Sequence, residues 1–573
     1  MPVLGIHDAH DAGAAIVSKG MIEGAVNEER FTKRKNDVGF PWQSVKYLKE
    51  IASEENCTVA VPWVGGSALF ARVFPSLELK RRDLWRRAGR KPSRLNMHLR
   101  NLMFKTIQDQ KPKSLWDAAG SAIGGHALSS RLKKAGVKGR INFVQHHDAH
   151  AASAFYASGF REALVLTLDG AGDGLSGTVS IGSKDGLERI NSFKASASLG
   201  ILYGAATLAC DMRYSEDEGK LMSLAAYSYP CEIPELSSIS HYDEHKRQLI
   251  SRSGIKYEYL LSEYLKDHIL WKHNREEFAN AVQKHVEDQV IKIVKQHMAE
   301  TGIHSLAVGG GLFSNIIINM RLNELHEVRN LFVFPHVGDG GLSLGAAYYV
   351  DFMENGQLSK GISDIYTGPS YSNEQIEKTL KEYSRSKKIS YEEESDVSRF
   401  AGDMVGRDNK IILWFQGRME YGPRALGNRS VISAANDSKN RDRINLMIKK
   451  RPYYQPFASS MLESYAKESL SPYPRGNSFM TVGYKVKEGC LKDLIAASHI
   501  DGTTRPQTLR NENKLYKDMI TRVKKHTGVG AVLNTSLNKH GRPIVMNPDD
   551  AVWTLLNTGA EDLVIGNFHA WKR

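Results

Sequence analysis

Cysteine is scarce in this chain. Cys57, Cys210, Cys231 and Cys490 are scattered through 573 residues, and none forms a CxxC pair. That argues against a zinc–thiolate cluster or a disulfide framework and fits a reducing cytoplasm. Long apolar runs are missing too. No stretch of about 18 apolar residues occurs, so no membrane-spanning helix is expected. Met1 to Asp8 lacks the basic start and apolar core of a signal peptide and leads directly into a strand. There is no GxxxxGK followed by Ser or Thr, so no P-loop is expected. Gly172-Asp173-Gly174-Leu175-Ser176-Gly177 matches GxGxxG, but Thr178-Val179-Ser180-Ile181 follows it. A dinucleotide fingerprint needs a helix there, and this alternating β-branched run reads as a strand.

What is present describes an ordinary globular protein. Hydrophobic residues make up 41% and charged residues 25%. The length is too great for one core, and two to four domains are expected. A net charge of +13 permits nucleic acid, phosphorylated ligands or an anionic surface as partners, and says nothing about fold.

The chain is organised around Gln145-His146-His147-Asp148-Ala149-His150, which runs into Ala151-Ala152-Ser153-Ala154-Phe155. Alanines favour a helix, and residues four apart share a face. His146 and His150 would then point together, with His147 turned aside. Two imidazoles so placed can hold a metal ion; two polar helix histidines in ordinary packing are the alternative. Asp169 closes the apolar run Ala163 to Leu168, and Asp339 sits on the glycine-rich turn Val337-Gly338-Asp339-Gly340-Gly341. Two His with one or two Asp suit Fe, Zn or Mn better than Ca or Mg.

Residues 3 to 29 read as strand, polar loop, and a hairpin around Ser18-Lys19-Gly20. The pattern returns from Leu164 to Ile190, with a turn at Lys184-Asp185-Gly186. Two strands that end in acid-rich loops and continue as hairpins suggest a duplicated half-domain, the shape of the actin and hexokinase superfamily. Between the halves, Lys80 to Arg100 is dense in Arg and Lys, with Leu84, Trp85 and Leu95 interleaved. It reads as a solvated helical insertion or as a patch for an anionic substrate or lipid surface. Residues 276 to 300 read as a helix. The strand Leu306-Ala307-Val308 then meets Gly309-Gly310-Gly311, with Asn315 and Asn319 beyond. That junction is either a phosphate or ribose site or a tight turn. A polar stretch from Glu354 to Gln375 marks the domain boundary.

The C-terminal half gathers cations and small polar groups. Gln416-Gly417-Arg418 and Tyr421-Gly422-Pro423-Arg424 through Arg429-Ser430 are followed by Lys449-Lys450-Arg451, Thr504-Arg505-Pro506 and Asn534-Thr535-Ser536. Arginines on glycine-loosened loops suit phosphate or carboxylate oxygens.

His10 to Ala15, Glu28 to Thr32, His146 to Ser153, Gly219 to Met222, Gly309 to Asn315, Gly422 to Ser430, Pro456 to Ala458, Thr504 to Thr508 and Leu533 to Asn538 occur in this order. Together they resemble the O-carbamoyltransferases of the NodU, cephamycin and tobramycin type, from residue 3 to about residue 570. The resemblance implies an α/β protein: an actin-like, duplicated domain over residues 1 to 365, similar to the tRNA threonylcarbamoyl-transferase fold, and a YrdC-like α/β domain over 366 to 573. It implies that carbamoyl phosphate and ATP, with Mg(II) alongside, become carbamoyl-adenylate in the second domain. The carbamoyl group then passes to a substrate hydroxyl at a metal site in the first. His146, His150, Asp169 and Asp339 match the metal ligands, typically for iron, and His10 the catalytic base. Lys35, Lys220, Gly310 and Asn315 match or flank the adenylate pocket. Arg418, Arg424, Lys449, Arg505 and Asn534 fall in the carbamoyl phosphate and nucleotide region. Where the family usually has arginine, this chain has Gln455; either Arg451 or Lys450 replaces it or the first half-reaction is weakened.

The acceptor implied is a hydroxyl-bearing small molecule or saccharide, anionic or membrane-presented if the basic stretch serves it. Nucleic acid is not expected as partner, and a homodimer is left open. The rival readings are an actin-like small-molecule kinase, an enzyme of the tRNA threonylcarbamoyl pathway, and a non-catalytic nucleic-acid-binding protein. The kinase leaves HxxxH and the arginine block unexplained, and the binding protein rests on the basic stretch alone.

Overall fold

The computed structural model describes residues 1–51, 57–63, 72–82, 92–103, 115–473 and 475–573. Residues 83–91, the middle of the basic stretch from Lys80 to Arg100, lie outside the described residues. The chain forms two compact units: Met1–Glu28 with Asn36–Ile362, and Glu29–Lys35 with Ser363–Arg573.

The first unit carries two five-stranded sheets. One is built from β1 (Val3–His7), β2 (Gly13–Ser18), β3 (Met21–Asn27), β4 (Thr58–Pro62) and β5 (Ile141–Val144), in the order β3-β2-β1-β4-β5. The other has β6 (Ala163–Gly172), β7 (Leu175–Ser183) and β8 (Gly186–Lys194). A small hairpin, β9 (His241–Asp243) and β10 (Gln248–Ile250), stands apart, and β11 (Ser305–Gly309) and β12 (Asn330–Val333) complete the second sheet in the order β12-β11-β6-β7-β8. In each sheet an antiparallel meander of three strands is joined, at its first strand, to two parallel strands. The two sheets thus share one topology, and the actin-like duplication expected from the sequence is present.

Local sequence explains these elements. β1 is buried along its whole length, as a central strand packed on both faces should be. The β2–β3 turn places Lys19 and Gly20 at φ 50° and 73°, the left-handed pair that a tight hairpin needs. The helix Arg275–Thr301 starts with a capping box between Asn274 and Glu277 and stops at Gly302, φ 72°. The helix Leu342–Asn355 packs so closely that a Cβ on Gly345 would lie 2.0 Å from Ala149 O, and one on Gly5 1.8 Å from Ser343 O. These two glycines let the helix lie directly on β1 and on the helix His146–Ser158.

The second unit is an α/β unit around an eight-stranded mixed sheet. Its strands are β13 (Ile389–Glu393), β14 (Ile412–Phe415), β15 (Arg429–Ala434), β16 (Ala458–Leu462), β20 (Pro506–Leu509), β21 (Ala531–Ser536), β22 (Asp562–Ile565) and β23 (Phe568–Lys572). The order is β13-β23-β22-β14-β15-β21-β16-β20. A small sheet of β17 (Leu470–Ser471), β18 (Tyr484–Val486) and β19 (Thr503–Thr504) accompanies it. Residues 29–35 belong to this unit. Phe31 packs on the buried cluster of Met419, Ile544 and Met546. Arg30 Nη2 donates to Gly422 O at 2.7 Å, and Lys33 Nζ pairs with Asp550 Oδ2. Among the described residues no helix is long and apolar enough to cross a membrane.

Candidate active site

The first candidate centre lies in the first unit. His146 and His150 project from one face of the helix His146–Ser158 and are buried. Asp173 Oδ2 accepts from the His146 main-chain N–H at 2.9 Å and so satisfies an orphan donor at the helix start. Asp169 comes from β6, where the ladder to β7 breaks between Leu168 and Gly172. Asp339 opens the one-turn 3₁₀ segment Asp339–Gly341, just before the helix Leu342–Asn355.

The two imidazole Nε2 atoms stand 3.1 Å apart, and Asp169 Oδ2 is 3.2 Å from each. Asp339 Oδ1 is 3.8 Å from His146 Nε2 and 3.5 Å from His150 Nε2. Donor atoms around a transition metal at bond lengths of about 2.1 Å have spacings of roughly 3.0–3.5 Å. Four of these five spacings fall in that range and the fifth, His146 to Asp339, lies just beyond it, so the chemistry and spacing of this His₂Asp₂ set fit a divalent transition ion. His147 turns away and is bound by Thr167 Oγ1 at 2.9 Å and Leu175 O at 3.1 Å, a structural role.

The electrostatics show a demand for positive charge. Burial opposes a charged His150, but Asp169 and Asp339 outweigh it and push the imidazole up to about 9. Burial and Asp339 work against the Asp169 carboxylate, yet His146 and His150 hold it at about 2. Asp339 overcomes its burial chiefly through His10 and ends well below the usual carboxylate range.

His10 stands beside this cluster. Its Nε2 is 3.1 Å from Asp339 Oδ2, and its Nδ1 is 2.9 Å from Asp11 Oδ2. Neither Asp11 nor Asn27 stood out in the sequence. Buried Asn27 donates through Nδ2 to Gly340 O at 3.1 Å and Asp11 O at 3.4 Å, and pairs through Oδ1 with His336 Nε2 at 3.0 Å. One side chain thus ties the His10 loop to the Asp339 turn. Trp63 closes one side of His146, ring centroids 4.3 Å apart. Gly172 leaves room for the ring: a Cβ there would lie 2.2 Å from His146 Cδ2. No local motif announces these contacts, since their partners are distant in the chain.

The other first-unit candidates are less gathered. Gly310 (φ 97°) has no room for a side chain, because a Cβ would lie 2.3 Å from Leu168 O. Asn315 caps the helix Ile316–Glu324, accepting from the N–H groups of Ile317 and Ile318, and its Nδ2 donates to Gln283 Oε1 at 2.8 Å. Lys220 Nζ pairs with Asp217 at 2.8 Å.

The second candidate centre is in the second unit. Arg424, Arg451 and Arg505 act on one another electrostatically, and among the described residues none has a carboxylate partner. Burial brings Arg424 down to about 10; burial and Arg424 do the same to Arg451. Burial, Arg424 and Arg451 press Arg505 well below its ordinary value. Arg505 Nε is buried with no acceptor. Arg451 lies over the Phe457 ring, 5.2 Å from its centroid. Half-buried like charges gathered without counter-ions suit an anion.

Lys449 adds a buried ammonium. Its Nζ reaches Asn538 Oδ1 at 2.6 Å, Ser536 Oγ at 3.1 Å, Asn538 O at 3.2 Å and Ser536 O. Burial and Arg451 push its pKa down, against four oxygens that hold its protons. Asn534 Nδ2 donates to Ser460 Oγ at 2.9 Å and Ala425 O at 3.1 Å, placing it behind the Arg424 loop. Arg418 is turned to the main chain, donating to Thr367 O at 2.7 Å and Gly368 O at 3.2 Å. Lys35 is exposed at the end of the segment 29–35.

Comparison with known proteins gives these centres a context. The carbamoyltransferase N-terminus model matches residues 89–348, and the carbamoyltransferase C-terminus model matches residues 405–572. An uncharacterized protein of Methanocaldococcus jannaschii is 33% identical over 99% of this chain and 99% of its own length. Nodulation protein NolNO of Sinorhizobium fredii is 32% identical over 98% of this chain and 79% of its own. Nodulation protein NolO of Bradyrhizobium diazoefficiens is 35% identical over 75% of this chain and 79% of its own. A duplicated α/β unit, a second α/β unit and these matches together define a transferase. The chain belongs to the carbamoyltransferase family, and the protein is a carbamoyltransferase.

Proposed function

We propose that the enzyme makes carbamoyl-adenylate from carbamoyl phosphate and ATP, and transfers the carbamoyl group to a hydroxyl of a small molecule or saccharide. In the first half-reaction, water releases phosphate from carbamoyl phosphate. The carbamate oxygen then attacks the α-phosphorus of ATP and pyrophosphate leaves. In the second, the acceptor hydroxyl attacks the carbamoyl carbon, AMP leaves with the C–O bond electrons, and the hydroxyl proton goes to a base.

The observation that carries the first step is the set of Arg424, Arg451 and Arg505 with no carboxylate among them. Guanidiniums bind phosphoryl oxygens through paired N–H groups and neutralise the charge that builds during phosphoryl transfer. Arg451 brings its guanidinium to this set although Gln455 stands in the family's arginine position. We assign it the missing contact. Lys449 fixes the Ser536–Asn538 loop and Asn534 the Arg424 loop. Mg(II) accompanies ATP.

The second step belongs to the first unit. His146, His150, Asp169 and Asp339 would hold a divalent transition ion, by family resemblance Fe(II). When bound it supplies Lewis-acid stabilisation of the carbamoyl oxygen. His10 takes the hydroxyl proton. Asp11 holds Nδ1, so Nε2, facing the cluster, is the atom that exchanges it. Asn27 keeps His10 and Asp339 in register.

The test is incubation with carbamoyl phosphate and ATP, followed by mass spectrometry for carbamoyl-adenylate. Appearance of pyrophosphate and free phosphate with the adenylate is expected. ADP as the nucleotide product would replace this reading with a kinase.

A further inference from the structure

At the edge of the eight-stranded sheet, β13 pairs antiparallel with β23, and Glu392 lies directly opposite His569. Glu394 follows two residues later, its N–H donating to Asn567 O at 2.7 Å, which continues the pairing past the strand end. Side chains two apart on a strand share a face. One donor atom from each of Glu392, Glu394 and His569 lies within 4.8 Å of the others.

The histidine is prepared on its far side. His569 Nε2 is 2.9 Å from Asp562 Oδ1, and Asp562 is held by Lys410 Nζ at 3.1 Å. A carboxylate on Nε2 fixes the proton there and leaves the Nδ1 lone pair free to act as a ligand. Nδ1 is buried and has no hydrogen-bond partner, in a residue only 8% exposed. It faces Glu392 Oε1 at 3.6 Å, too far for a charge-assisted hydrogen bond. Among the described residues no lysine or arginine pairs with Glu392 or Glu394. A lone pair and two carboxylates therefore converge with no cation between them.

We propose that Glu392, Glu394 and His569 form a second divalent-metal site, distinct from the His146 cluster and located in the other unit. One imidazole nitrogen and two carboxylates suit Zn(II) or another first-row ion over Ca(II) or Mg(II). Glu392 is largely exposed, so water completes the coordination. Because the ligands come from both strands, the ion clips the edge strand β13 to β23. A ligand that binds only the folded pairing stabilises it.

The experiment uses the full-length His146→Ala protein, in which the first cluster is disabled, stripped with chelator and titrated with Zn(II) against a chromogenic indicator. One tight equivalent is expected, together with a Zn(II)-dependent rise in Tm. Adding Glu392→Gln and Glu394→Gln should abolish both, and His569→Ala should do so independently. The glutamines keep side-chain size at one exposed and one half-buried position, so the fold is preserved, which the circular dichroism spectrum checks. Zn(II) binding and Tm shift unchanged by the paired glutamine substitutions would overturn the proposal.

Discussion

In the first unit, two carboxylates face two imidazoles across a cluster of donor atoms; in the second, three guanidiniums face one another with no acid between them. Both centres gather charge in buried or half-buried positions, but they differ in how that charge can be balanced. Imidazoles titrate, and His150 is pushed up to about 9 because Asp169 and Asp339 outweigh its burial. Guanidiniums do not readily release protons, so the second set suits an anion from outside. The scaffolds differ as well. The His–Asp cluster stands on a helix, a strand end and a one-turn segment, with Gly172 and Gly345 clearing the space. The arginines stand on connections between strands. The sign of the imbalance is thus what sets the two centres apart.

The largest expected effect comes from Asp339→Ala. It removes the carboxylate shared by His10 and the two imidazoles. Metal analysis should find the ion lost from this cluster. Transfer to an acceptor should fall by about a thousandfold or more, as several kcal/mol of Lewis-acid stabilisation disappears. Carbamoyl-adenylate formation should persist, and its loss would break the separation between the two centres. Next is Arg505→Ala, expected to slow adenylate formation by about 10²–10³-fold, the scale for removing one preorganised donor. Transfer from supplied carbamoyl-adenylate should remain, and Arg505→Lys should recover only part, lacking the planar fork.

Smaller still is the effect of inorganic phosphate on stability. At about 100-fold over its Kd it should add about 2.7 kcal/mol, read as a rise in Tm. Arg424→Gln should lose that gain and His146→Ala should keep it; the reverse pattern would reassign the anion site. Gly172→Ala would put a Cβ 2.2 Å from the His146 ring. A cost of about 1–3 kcal/mol is expected from the overpacking, with weaker metal binding by isothermal titration and unchanged adenylate synthesis. Asn315→Ala should cost about 1 kcal/mol through the lost helix cap in denaturant unfolding.

The parts of this layout that were legible in the sequence are the local ones. Each half of the first unit repeats a strand, an acid-bearing loop and a hairpin, so the duplication shows in short windows. His146 and His150 are four apart on an alanine-rich helix, and Asp169 closes an apolar run. What was hidden depends on partners far along the chain. Asn27 looks like any strand-end asparagine until Gly340 and Asp11 are brought to it. The motif around Arg418 reads as an anion loop, yet the guanidinium is engaged by the carbonyls of Thr367 and Gly368. The junction from Gly309 to Asn315 reads as a phosphate or ribose site or as a tight turn; that Asn315 caps the helix Ile316–Glu324 shows only in the structure. Glu392 and His569 meet only through strand register, which composition does not encode.

The segment Glu29–Lys35 has a practical bearing on how the protein is made and cut. It is synthesised among the earliest residues, yet its partners Met419, Ile544, Met546 and Asp550 come near the end. A fragment beginning at residue 363 would therefore lack Phe31 over an apolar cluster and Lys33 beside Asp550. Dividing the gene at the sequence boundary gives a sticky C-terminal piece, whereas adding residues 29–35 in trans, or joining them by a linker, supplies the missing cover.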